Sequence, residues 1–113
     1  VQVEVFSNKK HIGTADLQVG DESMGHLYGE LIPLESYYLL VQDTIREFWE
    51  KGDGNYTKIN ALNLRIRLPS GYCIVGAGGI TIDDLEELPN ESKRIDIAGV
   101  DFGLIRHYLE NYK

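Results

Sequence analysis

Hydrophobic and polar residues alternate strictly in two stretches of this chain. Val1, Val3 and Val5 are separated by Gln2 and Glu4, and Leu62, Leu64, Ile66 and Leu68 by Asn63, Arg65 and Arg67. A period of two places one set of side chains on each face of a strand. Turn chemistry follows both stretches. Ser7-Asn8-Lys9-Lys10 leads into a second strand over residues 11–18, so the first pair is expected to form a hairpin. Pro69-Ser70-Gly71 leads into a return strand over residues 72–82, where Gly76, Gly78 and Gly79 predict a bulge or strong twist. Residues 19–25 read as a polar loop, and residues 26–32 as a strand stopped by Pro33, with Gly29 its weak point. Ile95 and Ile97 mark one further short strand.

Between Glu35 and Lys51 the period becomes helical. Tyr38, Val41, Ile45, Phe48 and Trp49 share one side, and Gln42, Asp43, Arg46, Glu47 and Glu50 the other. Ser36 suits the N-cap and Gly52 the C-terminal stop, with a loop over residues 53–55. Asp101 is expected to cap a closing helix in which Ile105, Tyr108, Leu109 and Tyr112 share a face. At that length the helix must dock on the sheet to persist. The order is close to βββα-βββα. Hairpin-length connections imply an α+β fold, an antiparallel sheet of five to six strands with two helices packed on one face. The 113 residues suffice for one core, and no linker or repeat divides them, so residues 1–113 read as a single domain.

Charge narrows the function classes. Eleven basic and eighteen acidic residues leave a net charge of −7. Such a chain is repelled by a phosphate backbone and by anionic membrane surfaces, and its field steers in basic protein surfaces. Nucleic acid and membrane are therefore not expected as partners. With Cys73 as the only cysteine there is no internal disulfide. No apolar run reaches membrane-spanning length, and residues 1–7 lack the character of a signal peptide, so a cytoplasmic location is the expectation.

Candidate chemistry is sparse. Gly76 and Gly78 begin a G-x-G pattern, but Thr81 takes the third position, and Ile80-Thr81-Ile82 alternates like a strand instead of opening a helix, which rejects a dinucleotide loop. Cys73 sits between Tyr72 and Ile74 in an expected strand, the place of a small packed hydrophobe. His11, His26 and His107 lack metal-ligand spacing. No cofactor or metal is implied. The most unusual segment runs from Asp83 to Glu91, with Asp83, Asp84, Glu86, Glu87 and Glu91 and no base; it lacks the glycine turn of a calcium loop. It reads either as a solvated connection or as a docking surface for a basic partner. Tyr37 joins it as a rim residue, because an adjacent pair cannot both point inward and Tyr38 fits the helical stripe. No lysine or arginine occurs between His11 and Ile45, whereas Asp16, Asp21, Glu22, Glu30, Glu35 and Asp43 do. The leading expectation is a non-enzymatic acidic protein-binding module of the inhibitor or immunity type. The alternatives are a small enzyme with a dispersed site near Cys73 and His107, or a structural subunit of an oligomer.

Overall fold

The hairpin expected at the start of the chain is present in the computed structural model, which describes residues 1–52, 56–84 and 93–106. Strands β1 (Gln2–Ser7) and β2 (Lys10–Asp16) pair antiparallel across Asn8 and Lys9, whose φ values are 48° and 70°. Two consecutive left-handed residues give a turn whose twist matches that of the strands it joins.

The segment expected as a polar loop begins as strand and ends in a 3-10 turn. β3 (Gln18–Asp21) pairs with β4 (His26–Pro33), and a 3-10 turn over Glu22–Met24 joins them, capped by Asp21. β2 lies on β4 from Gly13↔Pro33 to Ala15↔Leu31, and β3 resumes in the same register at Gln18↔Tyr28. Residues 10–21 are therefore one long strand that bends at Leu17, opposite Gly29. A Cβ on Gly29 would stand 2.3 Å from the Asp16 carbonyl oxygen. The glycine marks a close backbone approach rather than the weak point of a strand.

The second expected hairpin is overturned in its return arm. β5 (Leu64–Arg67) pairs with β6 (Cys73–Ile74) for only two residues. After Val75 the chain continues as β7 (Gly76–Asp83), which pairs with β8 (Lys93–Val100) instead. The sheet order is β6-β5-β1-β2-β4-β8-β7, with β3 beside β4, and every pairing is antiparallel. Its two terminal strands are thus joined through Val75 alone. Two Cα steps reach less than ~8 Å, so the edges must come together. The eight-stranded sheet is curled nearly into a barrel.

The helices reach the core through Tyr37, Val41 and Ile45. The expected helix over residues 35–51 is two segments, α1 (Glu35–Leu40) and α2 (Gln42–Lys51), kinked at Val41 and ended by Gly52 in the left-handed conformation. A short helix α3 (Thr57–Ala61) precedes β5, where the sequence suggested none. Asp101 caps a closing helical turn α4 (Phe102–Leu104), accepting from the Leu104 amide at 3.1 Å. The rest of the expected closing helix, with Tyr108, Leu109 and Tyr112, lies outside the described residues. The molecule is α+β as expected, but its eight strands and three helices plus a closing turn, counted among the described residues, exceed the expected five to six strands and two helices. The core joins Val3, Val5, Ile12, Leu27, Leu31, Ile66, Ile95 and Ile97 from the sheet to Tyr37, Val41 and Ile45 from the helices.

Candidate partner-binding surface

Of the residues expected to meet a partner, two are internal. Asp84 is 5% exposed and Tyr37 fully buried. The Tyr37 hydroxyl donates to Asp84 Oδ2 at 2.6 Å, Gln42 Nε2 donates to the same oxygen at 3.2 Å, and Arg46 Nε to Oδ1 at 3.3 Å. Burial alone pushes the Asp84 carboxyl up, but the bonds from Tyr37 and Gln42, with the charges of Lys93 and Arg46, outweigh it and hold the carboxyl below its ordinary value. Burial and the carboxylate together push the Tyr37 hydroxyl well above its ordinary range. The two tyrosines are thus placed opposite to the expectation: Tyr37 is core, and Tyr38 is 47% exposed. The stripe Tyr37, Val41, Ile45 is as helical as the one that starts at Tyr38. What selects it is Asp84, far away in sequence, which no periodicity reveals.

Asp83, one residue earlier, is exposed on β7 in register with Arg94. Burial and the nearby Asp96 charge raise its carboxyl, and Arg94 partly offsets them. Glu86, Glu87 and Glu91 lie outside the described residues, and so does His107. Cys73 is exposed on β6, opposite Arg67, rather than packed inside as its neighbours suggested.

The outer face of the sheet carries a polar cluster. Asp96 receives Arg94 through two bonds, at 2.8 and 3.0 Å, and its Oδ2 lies 2.8 Å from His26 Nε2. Tyr28 stacks on His26, and the Arg94 guanidinium lies over the Tyr28 ring. The imidazole packs against Gly20, where an added Cβ would stand 2.4 Å from Nδ1. The cluster is a ladder of cross-strand contacts that spends His26 Nε2 on Asp96. Among the described residues no cluster of histidine, cysteine and carboxylate side chains could hold a metal ion.

Six basic side chains are consumed by internal ion pairs. Lys51 and Lys58 both donate to Glu47, at 2.6 and 2.9 Å, tying α2 to α3 and drawing the Glu47 carboxyl down to about 2. Arg46 meets Asp84, Arg67 meets Glu4, Arg94 meets Asp96 and Arg106 meets Glu22. Glu30, Glu35 and Asp43 are exposed and have no ion-pair partner among the described residues. Glu30 stands in register with Arg94, whose guanidinium turns to Asp96 instead. Sequence reasoning saw the acids in this stretch; that they lack counterions follows from tertiary pairing.

No family model matches this chain, and neither the curated proteins nor the solved structures contain a match. Among the described residues no helix is long and apolar enough to cross a membrane.

Proposed function

We propose that this protein is a non-enzymatic binding module whose acidic surface engages a basic protein, as an inhibitor or immunity-type protein masks its target. The observation that carries this reading is the set of exposed carboxylates without an ion-pair partner among the described residues, Glu30, Glu35 and Asp43, in a chain where Arg46, Lys51, Lys58, Arg67, Arg94 and Arg106 are spent on internal pairs. Complementary fields of this kind raise association rates and select partners by sign. Asp83 adds a further exposed carboxylate, on β7. An enzymatic site around Cys73 and His107 has no comparable support.

Affinity capture from the native lysate at low and high salt tests the proposal, comparing wild type with a Glu30→Lys/Glu35→Lys/Asp43→Lys variant. A basic protein retained by wild type at low salt, released at high salt and missed by the variant is the expected result. Capture unaffected by the three reversals would overturn it. Asp84 is unsuitable for such a test, because reversing a buried carboxylate unfolds the site instead of probing a surface.

A further inference from the structure

The stretch that holds the uncompensated carboxylates also holds an apolar ridge. Ile32, Leu34, Tyr38, Leu39 and Leu40 are 61%, 42%, 47%, 74% and 52% exposed. Among the described residues they make up half of the large exposed hydrophobic side chains, the others being Met24, Trp49, Tyr56, Tyr72 and Val75, spread over other elements. Single exposed leucines are common on protein surfaces, but a concentrated apolar run marks an interaction site. The ridge cannot turn inward. Tyr37 and Val41 occupy the core side of α1, the Ser36 hydroxyl donates to the His11 carbonyl, and rotating the helix would pull the Tyr37 hydroxyl off Asp84.

Resting on the proposed partner-binding reading, we infer that Leu39 and Leu40 form the centre of the docking surface, turned away from Tyr38 and the Lys93 ammonium over its ring, and that the occupant is an amphipathic basic segment of a partner protein. Apolar side chains of that segment cover the leucines, and its lysines or arginines reach the carboxylates at the edge. Glu35 lies four residues before Leu39, one turn away on α1, and Asp43 stands in the first turn of α2, past the kink at Val41. An apolar centre inside a charged rim is the ordinary anatomy of a protein interface. The acidic rim also disfavours a second copy of this chain, which would bring like charges together.

A labelled helical peptide with leucines on one face and lysines on the other is the probe, and its counterpart carries serine for each leucine at the same charge. Wild type binds the leucine peptide about tenfold or more tightly than the serine peptide, a margin of about 1.4 kcal/mol. Leu39→Ser/Leu40→Ser abolishes that margin and leaves affinity for the serine peptide unchanged; Glu35→Lys/Asp43→Lys weakens both peptides. Circular dichroism confirms that each variant is folded. Equal binding of the two peptides by wild type, or a margin that survives the leucine substitutions, overturns the ridge while leaving the acidic surface intact. No binding of either peptide overturns both readings. Concentration-dependent dimerisation in sedimentation, lost in the leucine variant, would assign the ridge to a second copy and overturn the basic occupant.

Discussion

Asp84 is a buried carboxylate with a donor on each oxygen, and its value to the fold lies in that satisfaction. The charge is tolerated because Tyr37, Gln42 and Arg46 replace the water it lost. Tyr37→Phe removes the shortest of these bonds and leaves an oxygen short of a donor, which should cost about 1–3 kcal/mol in denaturant unfolding. Asp84→Asn turns an amide donor toward donors and should cost a comparable amount. The double variant should lose less than the two singles combined, because both break one network. The pH dependence follows from the direction of the shift. Asp84 is held below its ordinary value of 3.8, so its contribution is complete above that value and drains as pH falls through and below it. Acid unfolding of wild type should therefore steepen below the ordinary carboxylate range, and Asp84→Asn should flatten that limb. Nothing near residue 37 in sequence announces this partner, which is why Tyr38 looked like the core tyrosine.

At the scale of elements, alternation identified β1, β5 and the hairpin of β1 with β2, because an apolar face that must be buried leaves its period in the sequence. It did not identify β3 or α3. β3 has no fully buried side chain, and neither does α3, so little of the pattern is written there. Nor can alternation name the strand beside a strand. Residues 72–82 carry a strand pattern whether they return along β5 or cross to β8, and the structure takes the second course after Ile74. The bend of residues 10–21 over Gly29 was similarly hidden, since its cause is another segment's backbone. Gly29→Ala tests that cause. The added methyl meets the Asp16 carbonyl, a main-chain group that cannot swing aside. The variant should lose about 1–3 kcal/mol, the usual cost of forcing an extra carbon into packed structure. Its thermal midpoint should fall accordingly. An unchanged midpoint would show that the β2–β3 bend has room to relax.

Over the whole molecule, the charge of −7 is not evenly compensated. Arg46, Lys51, Lys58, Arg67 and Arg94 are matched to carboxylates, while Glu30, Glu35 and Asp43 are exposed without an ion-pair partner among the described residues. Net negative charge is legible in composition; its concentration around an apolar ridge requires the fold that turns Tyr37 inward and Leu39 outward. Such an arrangement opposes stability twice, through repulsion among like charges and through apolar area left in water. A surface kept for its own stability would have neither feature. The contrast yields a prediction with two opposite signs. Glu30→Lys/Glu35→Lys/Asp43→Lys moves the net charge from −7 to −1, three reversals of two charges each. The variant should raise the thermal midpoint in low salt, and the gain should shrink in high salt as screening removes the repulsion that wild type carries. The same variant should lose the basic partner. Melting both proteins across a salt series, alongside the capture experiment, checks the two signs together. A variant less stable than wild type at low salt would show that the three carboxylates serve the fold, and the set would then have a structural reason to exist.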